Sequence, residues 1–238
     1  MTVNIGGATV AGGVNIGDYV PIVTSGLIAR LDASNISSYP GTGTTITDLS
    51  GQGATGTING TISFVSAGQA SYWNFAVGSD SNYISSTLSQ SYLDCTVVLY
   101  PDFTYAPGAG LAGLIGNNTP ASASDKSLRI ATGNPWTLRA GPAGLDGNDW
   151  AYTSTIYYVN GVSSSTATPA LQSGWNVIGG YRPNQVSFPL SFAYYLGSSA
   201  YPGRSFQGRI ALALLYNRQL TDAEQVQNYT ALRGRFGL

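Results

Sequence analysis

The stretch Phe206–Tyr216, with the sequence FQGRIALALLY, decides the fold class of this chain. Large and small residues alternate along it, as they do in a β-strand. The pattern assigns Ile210, Leu212 and Leu214 to one face and Arg209, Ala211 and Ala213 to the other. Because both faces are largely apolar, the stretch predicts a central strand that is packed on both sides.

Similar alternating runs recur along the chain between turn residues, and each predicts a further strand. They lie near residues 26–32, 57–65, 72–75, 83–87, 94–100, 128–132, 136–139, 153–159, 175–181 and 190–196. The dipeptides Asn59-Gly60 and Asn160-Gly161 predict hairpin turns, because both residue types tolerate positive φ. The spacing of strands and turns is typical of an all-β protein.

The composition supports a single β domain with an extended arm. The 238 residues include 31 glycines, and only 9% of the chain is charged. Residues 1–24 combine few apolar side chains with many glycines, so we expect an extended N-terminal arm that its own sheet or a neighbouring chain holds in place. Residues 25–238 are predicted to form the sandwich, which this length allows as one domain.

One helix is predicted, near residues 222–233. Thr221 and Glu224 have the spacing of a capping box, in which each side chain satisfies a backbone N–H of the other residue. Gly234 is predicted to end the helix in the left-handed conformation. Val226 and Tyr229 are spaced to face inward together.

Charge and apolar patterning exclude several functions. The net charge is −1, with no basic run, which argues against a nucleic-acid partner. No apolar stretch approaches the length of a membrane span, and the N-terminus lacks the features of a signal peptide. Cys95 is the only cysteine, which predicts folding in a reducing cytoplasm and a buried, unreactive thiol.

Three blocks of the sequence carry a resemblance: residues 27–33 with 38–41 and 47–53, residues 73–75 with 82–84, and residues 206–210 with 216–221 and 228–237. Together they resemble concanavalin A-like, laminin-G-like jelly-roll modules of tailed-bacteriophage virion proteins. The resemblance implies a two-sheet antiparallel jelly-roll sandwich and a structural role in a virion. The hairpin at Asn160-Gly161 precedes Trp175 here, whereas the modules usually have the tryptophan strand first.

The residues do not favour an enzyme. Glucanases of this fold class use paired carboxylates, but Glu224 is the only glutamate and is assigned to the helix cap. Asp146 and Asp149 lie in a glycine-rich stretch that is typical of a turn. The chain has no histidine, which excludes Ser-His-Asp and Cys-His nucleophile systems. We expect no catalytic residue and no cofactor.

The sequence contains candidate residues for binding a metal ion and for binding a carbohydrate. Asp80 and Asn82 lie at a position similar to the calcium ligands of laminin-G and pentraxin modules. One carboxylate is few for that ion, and turn chemistry explains both residues equally well. We therefore expect no metal, with calcium near Asp80 left open. Trp136, Trp150 and Tyr152 are candidates for an aromatic surface that stacks on a carbohydrate. The wider set of candidates adds the tyrosines at positions 157, 158, 194, 195 and 201. Half of the whole set is expected in the core, because neighbouring residues of a strand point to opposite faces.

The sequence therefore predicts a capsid decoration or cement protein, which is made in the host cytoplasm and binds the virion surface. A fibre shaft needs heptads or repeats, and this chain has neither. The contacts of the arm with the major capsid protein or other virion proteins are assigned to Val3, Ile5, Val10, Val14 and Ile16. The resemblance implies a homotrimer. The alternative is a tail-fibre or receptor-binding protein with lectin-like carbohydrate binding.

Overall fold

The computed structural model describes residues 4–5, 8–9, 20–76, 79–87, 94–105, 111–117, 127–131, 137–141, 156–164, 170–181, 194–196 and 205–238. The strands within these ranges are β1 (Asn4–Ile5), β2 (Ala8–Thr9), β3 (Leu27–Asp32), β4 (Thr45–Ile46), β5 (Gly56–Asn59), β6 (Ser63–Val65), β7 (Tyr72–Phe75), β8 (Tyr83–Ser86), β9 (Asp94–Pro101), β10 (Leu111–Asn117), β11 (Ser127–Ala131), β12 (Thr137–Gly141), β13 (Ile156–Val159), β14 (Val162–Ser164), β15 (Asn176–Tyr181), β16 (Tyr194–Leu196) and β17 (Gly208–Tyr216). One helix, α1 (Asp222–Phe236), follows them near the C-terminus.

Apart from β1 and β2, the strands form two antiparallel sheets that face each other, which confirms the predicted sandwich. The seven-stranded sheet has the order β12-β11-β10-β16-β8-β5-β4. The eight-stranded sheet has the order β14-β13-β15-β9-β17-β7-β6, and β3 also pairs with β17. Strands β1 and β2 pair with each other and, within the described residues, with neither sheet.

Two apolar cores lie on opposite faces of the eight-stranded sheet. The inner core fills the space between the sheets and contains Trp73, Phe75 and Phe206, all fully buried. The outer core lies between the eight-stranded sheet and α1 and contains Leu212, Leu214 and Leu232. Strand β17 contributes to both cores, so the prediction of a central strand packed on both sides is confirmed.

A β-bulge in β17 changes the predicted division of its faces. The register with β9 shifts between Ile210 and Leu212, so Ala211 is an extra residue. Ile210 therefore lies in the inner core, whereas Leu212 and Leu214 lie in the outer core. The prediction that these three share a face was wrong, because one inserted residue reverses the alternation that follows it.

Of the two predicted hairpin turns, one is confirmed and the other is wrong. Asn160 and Gly161 have φ of 52° and 80° and join the paired strands β13 and β14, as predicted. Asn59-Gly60 instead lies between β5 and β6, which belong to different sheets. A Cβ on Gly60 would lie 2.2 Å from Oδ1 of Asn82, so glycine is required where the chain crosses between sheets.

Strand β10 was missed by the sequence analysis. Its sequence, LAGLIGN, contains two glycines that interrupt the alternation of side chains on which strand prediction depends. It pairs with β11 on one side and β16 on the other. Its strand character therefore comes from its neighbours in the sheet.

The predicted capping box of α1 is present, but the helix ends later than expected. Thr221 Oγ1 accepts a hydrogen bond from the backbone N–H of Glu224, whose side chain accepts from the N–H of Thr221. Gly234 is helical, and Gly237 caps the helix with φ of 70°. At 15 residues with many polar side chains, α1 does not have the character of a membrane span, nor does any other helix in the described ranges.

The inward face of α1 is partly polar, which the sequence analysis did not predict. Gln225, Asn228, Leu232 and Phe236 are buried, whereas Val226 is 43% exposed. The expected inward pairing of Val226 with Tyr229 was therefore wrong for Val226. Two inward amides need partners in the sheet, because a buried polar group without one costs stability.

Asp94, at the start of β9, supplies partners for the first turn of the helix. Its carboxylate accepts hydrogen bonds from the backbone N–H groups of Cys95 and Leu220 and from Nε2 of Gln225, all within 2.8 Å. Burial raises the pKa of Asp94 to about 8, and these hydrogen bonds oppose the rise. The carboxyl group thus joins α1 to the centre of the eight-stranded sheet.

An ion pair fixes the other end of α1. Arg235 donates from both terminal nitrogens to Asp32, at 2.8 and 3.1 Å, and Asp32 is 1% exposed. Arg30 lies 3.3 Å from the same carboxylate. Burial would raise the pKa of Asp32, but Arg235, Ser34 and Arg30 outweigh burial and hold it below its usual value.

Candidate functional site

Most of the arm residues proposed for assembly lie outside the described residues. This applies to Val3, Val10, Val14 and Ile16, while Ile5 is described only as backbone in β1. The predicted contacts of these five residues stay predictions.

The segment that connects the arm to the sandwich is held by α1. Val23 is 5% exposed, and its N–H donates to Oδ1 of Asn228 at 2.8 Å. Its carbonyl accepts from the Tyr216 hydroxyl at 3.0 Å, and the carbonyl of Pro21 accepts from Nε2 of Gln227. Residues 20–24 therefore pack on the domain, although the sequence analysis grouped them with the arm.

The predicted carbohydrate contacts Trp136, Trp150 and Tyr152 also lie outside the described residues. Two of the further tyrosines are core residues: Tyr157 is 7% exposed and Tyr158 is 4% exposed. The hydroxyl of Tyr158 donates to the carboxylate of Asp222 in the first turn of α1. Tyr158 therefore has a structural role in positioning the helix.

Of the three acidic residues considered for catalysis, Glu224 is the one that the structure describes. Asp146 and Asp149 lie outside the described residues. Glu224 binds Arg218 through both oxygens, at 2.5 and 2.8 Å, in addition to closing the capping box. Hydrogen bonds from Arg218 and Thr221 lower the pKa of Glu224 to about 2, so its carboxylate stays charged and engaged.

The possible calcium ligands have other partners. Oδ1 of Asn82 accepts from the N–H of Thr61 at 2.8 Å, and Oδ1 of Asp80 accepts from the Ser205 hydroxyl at 2.6 Å. Within the described ranges, no three His, Cys, Asp or Glu side chains come together as metal ligands would. Turn and loop contacts therefore account for these two oxygens.

The single thiol is deep in the protein. Cys95 is 1% exposed on β9 and belongs to the inner core. Burial, with the neighbouring Asp94, raises the pKa of its thiol well above the usual value. A buried neutral thiol is a poor nucleophile, which agrees with the sequence-based expectation.

A row of side chains crosses the outer face of the eight-stranded sheet beyond the C-terminal end of α1. In the ladder, Arg209 on β17 stands between Asn74 on β7 and Tyr100 on β9. Trp175 directly precedes β15, the next strand after β9. Direct neighbours in a ladder point to the same face, so the row is continuous across four strands.

Aromatic rings surround this row, and together they form what we call the aromatic–arginine patch. Trp175 makes edge contacts with the rings of Tyr72 and Tyr100, each with ring centroids 5.7 Å apart, and a tilted contact with Phe236 at 5.0 Å. Tyr72, Tyr100, Trp175 and Arg209 are half-buried, whereas Phe236 is 7% exposed. The patch is thus anchored on the outer core and open to solvent on its other side.

Arg209 gives the patch a positive charge. Its guanidinium carbon lies 4.6 Å from the ring centroid of Tyr100 and 5.1 Å from that of Tyr72. Among the described residues, no carboxylate and no hydrogen-bond acceptor partners this guanidinium. Cation–π contact with two rings holds the guanidinium at the patch.

Sequence reasoning missed the patch because its members come from separate parts of the chain. The alternation in β7 did carry one signal: Trp73 points to the inner core, so Tyr72 must point outward. Nothing local indicated that Tyr72, Tyr100, Trp175 and Arg209 would meet, since residues 72 and 209 become neighbours only through the order of strands.

No protein-family model matches the sequence, and no curated protein matches it. Several solved structures are similar. Trypanosoma rangeli sialidase in complex with the inhibitor DANA is 16% identical, with a TM-score of 0.50 over 89% of this chain and 33% of that chain. A mutant of that sialidase displaying trans-sialidase activity is 16% identical, with a TM-score of 0.52 over 91% and 34%.

A third similar structure is domain 4 of AbnA, an extracellular arabinanase from Geobacillus stearothermophilus. It is 15% identical, with a TM-score of 0.48, over 85% of this chain and 98% of that chain. The present chain spans about a third of the length of the sialidase chains.

At this identity the likeness to the sialidases shows the fold alone. The protein is a two-sheet antiparallel β-sandwich of the jelly-roll class with one C-terminal helix, as its own strand order also shows.

Proposed function

We propose that this protein is a non-catalytic carbohydrate-binding β-sandwich domain, which corresponds to the lectin-like alternative above. The aromatic–arginine patch carries the proposal. Half-buried aromatic rings can stack on the apolar face of a sugar, while a guanidinium can donate to its polar groups. Tyr72, Tyr100 and Trp175 supply the rings on one face of one sheet, and Arg209 supplies the donors.

The absence of catalysis is part of this proposal. Hydrolysis of a glycosidic bond commonly requires two carboxyl groups on either side of that bond. Near the patch, the Asp102 carboxylate accepts hydrogen bonds from Thr104 and Gln207, and Asp32 is buried in its ion pair with Arg235. Because both carboxylates already have partners, we assign the patch to binding and not to hydrolysis.

The test is a glycan array probed with the full chain, followed by affinity measurement on the best ligand. Tyr100→Ala is expected to weaken binding by about ten-fold or more, because central aromatic contacts dominate binding energy. Tyr83→Ala is the matched control: it removes a half-buried tyrosine from the seven-stranded sheet and should leave affinity unchanged. An array without any bound glycan, or equal affinity of the two variants, contradicts the proposal.

A capsid decoration role, with an arm-linked homotrimer on the major capsid protein, is a second candidate. One observation favours it: strands β1 and β2 pair with each other and, as far as the chain is described, with no strand of the sandwich. The base of the arm is nevertheless anchored at Val23. An arm attached in this way can reach a second chain without unfolding its own domain.

Deletion of residues 2–19 tests the arm, because it spares the anchored residues 20–24. We expect the unfolding midpoint to stay near that of the full chain, while the mass measured by light scattering falls from a trimer to a monomer. A truncated chain that stays trimeric excludes the arm as the assembly element. A truncated chain that unfolds shows instead that the arm completes its own domain.

A further inference from the structure

We infer that the sugar bound at the aromatic–arginine patch carries a carboxylate, which Arg209 binds through two parallel hydrogen bonds. This inference rests on the proposed carbohydrate-binding function and adds the chemical class of the ligand.

The charge balance of the described arginines is the first observation. Arg30 and Arg235 share the carboxylate of Asp32, and Arg218 binds Glu224 through both oxygens. Arg209 and Arg233 have no acidic partner in the part of the chain that the structure describes. Arg233 is exposed, whereas Arg209 is half-buried between two tyrosine rings. A cation that has lost part of its hydration gains strongly from an anion placed at its free edge.

The surroundings of Arg209 are the second observation. Asp102 directly follows β9, and Thr104 and Gln207 already donate to its carboxylate at 2.6 and 2.8 Å. These hydrogen bonds hold the pKa of Asp102 below its usual value, and they bind its carboxylate to Thr104 and Gln207. Asp32 is opposite Leu212 in the ladder, and its carboxylate is bound by Arg235. The patch itself contains aromatic rings and the neutral amide of Asn74, so Arg209 is the charged side chain among the residues that define it.

The geometry of the guanidinium is the third observation. Its central carbon lies within 5.1 Å of the ring centroids of both Tyr72 and Tyr100, so two rings hold it at the patch. A planar fork of donors matches the two oxygens of a carboxylate, while the ring of the same sugar can lie against Trp175 or Tyr100. The amide of Asn74, which is opposite Arg209 in the ladder, is placed to bind a neighbouring hydroxyl.

The experiment compares sugars that differ in the carboxylate. Calorimetric titration of the full chain would use oligogalacturonate against its methyl ester, and 3′-sialyllactose against lactose. In at least one pair we expect the acid to bind about ten-fold more tightly, the order expected for a partly desolvated charge pair. Arg209→Gln should abolish that difference, because the substitution weakens binding of the acid more than binding of the neutral sugar.

Arg233→Gln is the matched control, because Arg233 is an exposed arginine on α1 that lies beside the Tyr229 ring. It should keep the preference for the acid. Equal binding of acid and neutral sugars, or an Arg209→Gln variant that keeps the preference, overturns this inference and leaves the proposed carbohydrate binding intact. Tighter binding of dextran sulfate than of oligogalacturonate also overturns it, since the selected anion would then be a sulfate. Failure to bind any glycan defeats both proposals.

Discussion

Arg235→Ala is expected to destabilise the domain by about 3 kcal/mol, the lower part of the range for breaking a buried ion pair. The reason is the position of Asp32, which is 1% exposed and accepts two hydrogen bonds from Arg235. Removal of the guanidinium leaves a buried carboxylate with Arg30 and with the backbone N–H and hydroxyl of Ser34 as its remaining support. The hydrogen bond from Nε of Arg235 to the carbonyl of Gln69 is lost as well.

The measurement is chemical denaturation at neutral pH, with the free energy of unfolding compared between variants. Arg233→Ala serves as the control, since it removes an exposed arginine two residues earlier on the same helix and should change stability by about 0.5 kcal/mol or less. If the two variants lose equal stability, the Asp32–Arg235 pair does not hold the end of α1.

The free energy of unfolding is expected to fall as the pH rises from about 5 to about 8. Burial raises the pKa of Asp94 to about 8, whereas an aspartate in the unfolded chain has a pKa of about 3.9. Between these values the folded protein retains a proton that the unfolded chain has released, so deprotonation favours unfolding. The limiting slope for one such proton is about 1.4 kcal/mol per pH unit.

This pH window is unusually free of other titrations, because the chain has no histidine. Cys95, Tyr158 and Tyr216 also have pKa values that burial raises, but their unfolded forms titrate only above about pH 8. Asp32 and Glu224 act in the opposite direction, since their pKa values are lowered and their stabilisation is lost as the pH falls below about 4. Stability should therefore be greatest near pH 4 to 5.

The control for this prediction is Asp94→Asn. The amide cannot titrate, so its unfolding free energy should be flat between pH 5 and 8, although lower overall because the amide nitrogen opposes N–H donors from Cys95, Leu220 or Gln225. A flat profile in the unchanged protein would mean that Asp94 is already ionised in the fold. An equal slope in both proteins would assign the titration to another group.

These predictions centre on polar residues of α1 and the sheet beneath it, where sequence reasoning was least complete. The capping box at Thr221 and Glu224 was predictable, because both partners lie within one helical turn. The inward positions of Gln225 and Asn228 were not, since their partners Asp94 and Thr96 lie more than 120 residues away. Without knowledge of such a distant partner, a polar residue on a helix is predicted to be exposed to solvent.

The candidate site was also only partly predictable from the sequence. Sequence composition indicated aromatic side chains suited to sugars, but it selected Trp136, Trp150 and Tyr152, whose surroundings lie outside the described residues. The patch that the structure does describe contains Trp175, which sequence analysis placed in a strand without a binding role. Its partners come from β7, β9 and β17, so only the strand order could bring them together.

The sequence by itself determined the all-β class, most of the strands, the buried central strand and the start of the helix. These follow from contacts within a few residues, where alternation, turn residues and caps are decisive. The tertiary structure alone decided the bulge at Ala211, the crossing between sheets at Gly60 and the assembly of the aromatic–arginine patch. Each of these depends on which distant strands become neighbours, and pairing between strands is selected by the packing of the whole sandwich.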